Sequence, residues 1–433
     1  MLESLVVCLP KLCPRGAVMK DALQDDIERC AKCGQCRTVC PVFAETNVEM
    51  MVARGRISLA QAAVEGRAKY TRRMEDYIQS CLKCLRCAAM CPSGVPYERI
   101  LQEIRYAMGR ELGISPVAKA IFRYVLPHRG LFDIAMKAAW VGQWLVPGRR
   151  QGHMRHLPLF FAGRRWVPGL AKGSALKRLR HLSTVPEHGN DGRPRPRVVL
   201  FLGCLINYVY PEIAEATVRV LQRLGADVIV PRDQVCCATP VLSFGEATAA
   251  RNLAERNVRS LSASNPDYIV TACASCGKTL KSDYESLAGA EGAKLSKKVL
   301  DISELLSLLS LPDVAPLPQK VTYHDPCHLR WGQKVIAQPR KLLGRFSAYV
   351  EMSEAERCCG GGGSFSLFHY DLATKIADRK LDSIAASGAE IVATNCPGCI
   401  LHISDRLAAR TSSTRVLHTI QVIEAAMQAS EKG

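Results

Sequence analysis

The chain has 433 residues, 20 cysteines and a formal net charge of +18, a length of about three ordinary domains that can bury substantial cores. So many cysteines in a small secreted domain would form a disulfide framework, but no secretory signal is evident and the spacings are those of metal ligands, so a reducing cytoplasmic compartment is expected. No run of about eighteen apolar residues occurs, which excludes a membrane-spanning helix.

Residues 1–20 read as an N-terminal extension, in which Cys8 and Cys13 complete no ligand set and Met19 is a plausible start. From Asp21 a short helix leads into Cys30-Ala-Lys-Cys33-Gly-Gln-Cys36-Arg-Thr-Val-Cys40-Pro41. After Arg54-Gly55-Arg56, the spacing of Ile57, Leu59, Ala60 and Val64 predicts an amphipathic helix. Met74, Tyr77 and Ile78 share a face of another, which delivers Cys81. The cysteine run then recurs as Cys81, Cys84, Cys87, Cys91 and Pro92, and Pro96 opens a helix carrying Ile100, Leu101, Ile104 and Met108. Residues 21–112 therefore read as one helical domain.

The repeated spacing C-x2-C-x2-C-x3-C-P is the bacterial ferredoxin run for four-iron clusters, in which the last cysteine of each run ligates the other cluster. On that rule Cys30, Cys33, Cys36 and Cys91 hold one cluster, and Cys81, Cys84, Cys87 and Cys40 hold the second. Zinc is the competing reading, but a four-ligand zinc site has no use for a third close cysteine followed by Cys-Pro, twice over. Lys32, Arg37, Lys83 and Arg86 lie within the runs, where cations favour a reduced cluster; solvated surface charge is the alternative.

Residues 113–196 form a basic, aromatic-containing linker. Between Lys119 and Arg180 there are thirteen basic residues against one acid, Asp133. No nucleic-acid-binding motif accompanies them, so the patch reads as a docking face for an acidic partner protein or an anionic membrane surface. Short helices such as 134–145 alternate with Pro127, Pro147, Pro158 and Pro168. The segment Leu159-Phe160-Phe161-Ala-Gly-Arg164-Arg165-Trp166, with Trp140 and Trp144 upstream, suits either a membrane interface or packing on neighbouring domains, packing being preferred.

The second half is an internal duplication, comprising a first cysteine-rich domain at 197–311 and a second at 320–433. Cys204, Cys236, Cys237, Cys273 and Cys276 recur as Cys327, Cys358, Cys359, Cys396 and Cys399, each 122 or 123 positions on. In each copy a β-branched run leads to the first cysteine, a helix and second strand to the Cys-Cys pair, and a long helix and third strand to Cys-x-x-Cys. Strands alternating with helices predict a small parallel sheet with every cysteine group beyond a strand's C-terminal end. The fold class expected is multidomain α/β: a helical two-cluster domain, then two duplicated α/β domains.

Zinc or an ordinary cubane needs four ligands, so five converging thiolates imply a spare ligand or irons sharing bridging sulfurs. Gly360-Gly361-Gly362-Gly363 lacks the Gly-Lys-Ser/Thr ending of a phosphate loop, and close backbone approach to a cluster is the more economical account. His324, Asp325 and His328 flank Cys327, where they tune a cluster, carry protons or serve the structure.

The paired ferredoxin runs, Arg54-Gly55-Arg56 between them and the two Cys-Cys units resemble the iron-sulfur subunit of glycolate oxidase and its D-lactate dehydrogenase relatives. The repeated units also resemble the cysteine-rich domains of heterodisulfide reductase. Two features depart from the pattern: Ala238 stands where the motif usually has Gly, and the first five-cysteine set is complete although many glycolate oxidase subunits have lost part of it.

The resemblance implies an electron-transfer subunit that does not itself oxidise the hydroxy acid. It would take electrons from a separate FAD-containing 2-hydroxy acid dehydrogenase subunit and hand them to quinone or another redox carrier. It implies two cubane four-iron clusters plus one or two further iron-sulfur clusters, cubane or not. No G-x-G-x-x-G follows a strand, so no flavin is expected in this chain. The expected setting is cytoplasmic or peripheral on the cytoplasmic face of the inner membrane, without nucleic acid. Disulfide reduction at the five-cysteine sites is the alternative activity, and a purely structural scaffold the third.

Overall fold

The computed structural model describes residues 15–143, 149–150, 154–156, 166–181 and 195–431. Cys8, Cys13, Trp144 and the aromatic-arginine segment at 159–165 lie outside them. The chain divides into two units, residues up to 81 with 86–113, and residues 82–85 with those from 114 onward.

The described part of the first unit is helical, with Arg15–Glu28, Gln35–Val39, Pro41–Thr46, Ala53–Val64, Arg72–Gln79, Arg86–Ala89 and Tyr97–Glu111. Ile100, Leu101, Ile104 and Met108 face inward at helical spacing and pack against Ile57, Ala60, Met74 and Ile78. Cys30, Cys36, Cys81, Cys87 and Cys91 pack against the same core, so the thiols extend it rather than lying apart from it. Each cysteine run turns tightly through left-handed residues, Lys32 and Gly34 in the first, Lys83 and Leu85 at the same places in the second. An L-residue there costs roughly 1–2 kcal/mol. Pro41 occupies the first turn of its helix, where no donor is lost, and Cys40 Sγ accepts from Phe43 N at 3.5 Å.

In the second unit a helix Arg129–Gly142 stands where the spacing predicts one over 134–145. Three strands follow, β1 Arg149–Arg150, β2 Met154–His156 and β3 Trp166–Pro168, in one antiparallel sheet. Strands of two or three residues carry no readable periodicity, so sequence did not announce them. Several linker cations are taken up by this unit itself. Arg123 pairs with Glu246 at 2.7 Å, Arg178 reaches Glu212 and Glu215 at 3.4 Å, and Arg129 lies over the Tyr208 ring. Asp133, the one acid of the stretch, accepts from Tyr208 Oη at 2.6 Å.

The two cysteine-rich copies are twin parallel sheets. The first comprises β4 Arg197–Phe201, β5 Asp227–Ile229, β6 Tyr268–Thr271 and β7 Val299–Asp301, in the order β5-β4-β6-β7. The second comprises β8 Leu317–Tyr323, β9 Ser347–Tyr349, β10 Ile391–Thr394 and β11 Arg415–His418, in the order β9-β8-β10-β11. The registers also repeat: Val198 pairs with Tyr268 as Val321 pairs with Ile391. Val198, Val199, Leu200 and Phe201 are all buried, as are the four residues of β10, the pattern of strands covered on both faces. A fourth strand per copy, β7 and β11, was not anticipated. Each is three or four residues long and ends in a residue, Asp301 or His418, that caps the next helix.

Candidate metal centres

In the first unit a pocket is lined by Cys30, Cys33, Cys36 and Cys91 together, beside Arg54 and Tyr97. Cys40, Cys81 and Cys87 are electrostatic neighbours of one another, while Cys84 belongs to the short stretch 82–85 that groups with the second unit. Burial pushes the Cys36, Cys40 and Cys87 thiols up, so bare sulfurs here hold their protons. A bound cation reverses that preference, because a coordinating thiol is deprotonated outright.

The Arg-Gly-Arg segment acts as a brace. Arg54 donates from Nη1 to the Lys32 carbonyl at 2.9 Å, inside the first run, and from Nε to Glu49 at 2.7 Å. Buried Arg56 donates to the Tyr77 carbonyl at 2.7 Å and Ser80 Oγ at 2.9 Å, just ahead of Cys81. Burial works against its charge, yet Tyr97, Cys81 and Cys40 hold the proton on the guanidinium more firmly than usual. Gly55 between them is obligatory, since a Cβ would fall 1.9 Å from the Glu49 carbonyl oxygen. Of the four run cations, Arg37 lies over the Phe43 ring at 4.7 Å and 3.7 Å from Glu49. Arg54, Arg56 and Arg105 also reach the thiols' surroundings, a role that sequence had not assigned.

In the second unit each five-cysteine set comes together just beyond the C-terminal ends of its strands. Hydrogen-bond contacts between sulfurs run Cys204, Cys236, Cys237, Cys276, Cys273 in one copy, and Cys327, Cys358, Cys359, Cys399, Cys396 in the other. The two series are joined by contact between Cys273 and Cys396. Ten thiols thus form one continuous chain, symmetrical about that junction. Ala274 N donates to the Asn395 carbonyl at 3.0 Å, Gln333 Nε2 to the Ala274 carbonyl at 2.9 Å, and Ser275 Oγ lies 3.6 Å from Cys396 Sγ. Flanking sulfurs donate to Cys237 and to Cys359, which pushes both thiols well below their ordinary range. A buried cluster of soft sulfurs in mutual contact fits iron-sulfur chemistry and has no counterpart in a structural core.

The backbone around the pairs is shaped for close approach. Gly360 N donates to Cys358 Sγ at 3.4 Å, and a Cβ on Gly361 would lie 3.5 Å from Cys359 Sγ. Ala238, the counterpart of Gly360, adopts the same left-handed conformation, φ +81° against +85°.

The three polar residues around Cys327 separate. Asp325 is engaged by Arg330 and Arg340 at 2.7–2.9 Å, and His328 Nδ1 lies 3.1 Å from Ser275 Oγ. His324 alone faces the thiols: one ring nitrogen, Cys359 Sγ and Cys399 Sγ all lie within 4.8 Å of one another. Burial, reinforced by the Lys380 ammonium, pushes its pKa down to about 3, so the imidazole is neutral.

The cysteine-rich domain family matches this chain at residues 198–281 and 321–404, and the 4Fe-4S dicluster domain family at 26–95. The chain is 30% identical to the probable glycolate oxidase iron-sulfur subunit of Bacillus subtilis, over 88% of its own length and 89% of the relative's. It is 32% identical to lactate utilization protein A of Exiguobacterium sp., over 53% of its own length and 97% of the relative's. Against one chain of the dihydromethanophenazine:CoB–CoM heterodisulfide reductase of Methanosarcina acetivorans the identity is 26%, over 88% and 89%. A crystal structure of a hypothetical protein from Helicobacter pylori has the same fold, with a TM-score of 0.51 at 8% identity over 94% of this chain and 72% of that one.

Proposed function

Because the chain belongs to the family of glycolate oxidase iron-sulfur subunits, we propose that it is the electron-transfer subunit of a flavin-dependent 2-hydroxy acid dehydrogenase acting on glycolate or D-lactate. It is an iron-sulfur protein with a dicluster domain and two cysteine-rich domains. It receives electrons from a separate FAD-containing subunit and passes them to quinone or another carrier. Iron-sulfur clusters, when bound, supply reversible one-electron redox chemistry.

The protein's own residues do the rest. Cys30, Cys33, Cys36 and Cys91 would hold one cubane, Cys81, Cys84, Cys87 and Cys40 the other, and the two five-cysteine sets one or two further clusters. Arg54 and Arg56 fix the two runs and place positive charge near them, and burial of eight of the ten thiols, all but Cys204 and Cys327, limits water's access to the chain. That chain is the observation that carries the reading: redox centres seated on sulfurs in contact across Cys273 and Cys396 are close enough to exchange electrons.

Among the described residues no helix is long and apolar enough to cross a membrane. Exposed Val117, Tyr124, Ile134 and Val141 lie on a stretch that also carries Lys119 and Lys137. This combination supports peripheral association of an otherwise cytoplasmic protein with an anionic membrane. Disulfide reduction is the weaker reading, since the glycolate oxidase relative is more similar over the same span than the heterodisulfide reductase one.

The test is anaerobic copurification with the flavoprotein partner, followed by glycolate or D-lactate. Flavin bleaching should be followed by bleaching of this chain's visible iron-sulfur absorption. Flavin reduction that leaves this absorption untouched sinks the proposal, and thiol-disulfide turnover by the chain alone would favour the alternative.

A further inference from the structure

The two cysteine-rich copies correspond position by position, so each side chain at one centre has a counterpart at the other. Through the shared register, Phe201 at the end of β4 corresponds to His324, the residue just past the end of β8. On the long helices Ala247–Ser262 and Tyr370–Ser387, whose buried positions recur 123 residues apart, Asn257 corresponds to Lys380. The first copy is self-sufficient at both. Phe201 is fully buried and has no polar side-chain atom to satisfy, and Asn257 bonds Val235 N at 2.8 Å, the Cys236 carbonyl at 3.0 Å and Tyr284 Oη at 2.9 Å.

The second copy is not. His324 has no exposed surface, and neither ring nitrogen has a hydrogen-bond partner. The Ala355 carbonyl approaches the ring but is already used by Lys380 Nζ at 3.1 Å and Asp325 N at 3.0 Å. An unpartnered buried imidazole is costly, and the fold needs no polar group at this position, because its twin seats a phenyl ring there. The imidazole is placed where a sulfur-bound metal would be, with one nitrogen within 4.8 Å of both Cys359 Sγ and Cys399 Sγ. Neutral imidazole is an established donor to metals that thiolates also bind, and a ligating histidine commonly turns its other nitrogen toward a backbone carbonyl, the place Ala355 occupies.

We propose that His324 is a metal ligand, so that the second cysteine-rich centre has a mixed imidazole and thiolate donor set while the first is bound by sulfur alone. This rests on the reading that both centres carry iron-sulfur clusters. Replacing thiolate by imidazole at one iron raises a cluster's potential. The second centre is then the higher in potential of the two and holds the electron longer.

The experiment uses the full chain, purified anaerobically with 14N- or 15N-histidine, poised reductively and observed by pulsed electron paramagnetic resonance. The expected result is a strongly coupled nitrogen in one cysteine-rich signal, changing with the isotope and absent from the other. It should be lost in His324→Phe, which copies the twin, together with a fall in that signal's midpoint potential. Isotope substitution in the unaltered chain tests ligation without relying on the variant's folding. Full iron and sulfide with both signals free of directly bound nitrogen overturns the ligand assignment and leaves the cluster reading standing. Iron sufficient only for the two ferredoxin-type sites overturns both.

Discussion

Replacing Gly360 by alanine tests whether the backbone at the second Cys-Cys pair is shaped as argued. At φ +85° an L-residue costs roughly 1–2 kcal/mol. The new Cβ would fall 2.4 Å from the Ala373 carbonyl oxygen, part of a helix backbone that cannot swing aside. Overpacking of this kind costs about 1–3 kcal/mol, and the stiffer unfolded chain returns about 0.4–1 kcal/mol. The net loss is about 1–5 kcal/mol, with a central value of about 3 kcal/mol. At that central value and an m-value of about 2 kcal/mol per molar, the anaerobic urea midpoint, followed by circular dichroism and visible absorption, should fall by about 1–2 M. The control is Ala238→Gly at the equivalent position of the first copy, where the strained alanine already fits. Relief of its left-handed φ is largely cancelled by the glycine's chain entropy, so that midpoint should hold or rise slightly. An unchanged midpoint for Gly360→Ala, or equal losses in both variants, would mean that the backbone at the second Cys-Cys pair leaves room for a side chain.

Arg56→Leu should cost about 1.5–3 kcal/mol, because it removes the charge-assisted hydrogen bonds to the Tyr77 carbonyl and Ser80 Oγ, and it should lower the midpoint potential of one ferredoxin-type signal in a redox titration; an unshifted potential would mean that this charge is not felt there. Asp301 and His418 should give opposite pH responses in the urea midpoint. Burial pushes the Asp301 carboxyl up to about 6, so its contribution is full below about pH 4 and is lost as pH rises through 6, and Asp301→Asn should flatten that decline. Burial pushes His418 down to about 4, so its contribution is full above about pH 6.5 and is lost as pH falls through 4, and His418→Asn should remove that acid loss while retaining a capping side chain. After anaerobic chelation, alkylation read by mass spectrometry should mark Cys33 first, since it alone of the described cysteines is exposed; early labelling of Cys237 or Cys359 would contradict the packing.

The dicluster and cysteine-rich families were legible because ligand chemistry constrains spacing: three close cysteines and a Cys-Pro, twice, leave few alternatives, and five cysteines recurring at a fixed offset mark a duplicated unit. The parallel sheets were legible from β-branched runs such as Arg197-Val-Val-Leu-Phe. What escaped was whatever depends on three-dimensional meeting rather than on local pattern. Strands β7 and β11 are too short to show alternation, and each contributes a cap more than a core. Nothing in a linear sequence says that Cys273 touches Cys396, because the face by which two copies meet is not written as a period. His324, Asp325 and His328 looked equivalent around Cys327, yet two have polar partners of their own and the third has none. Arg56 stood in a recognised segment, but only burial beside Tyr77 and Ser80 gives it a task.

The junction at Cys273 and Cys396 has a consequence for how such a protein diversifies. Two separate identical polypeptides meeting along that seam would have to carry the same residue on both sides, so any adjustment of one centre would be imposed on the other. Joined end to end in one chain, the halves escape that constraint, and each can be altered alone while the seam stays intact. Phenylalanine opposite histidine, and asparagine opposite lysine, are what that freedom looks like: a symmetrical frame housing two unlike seats.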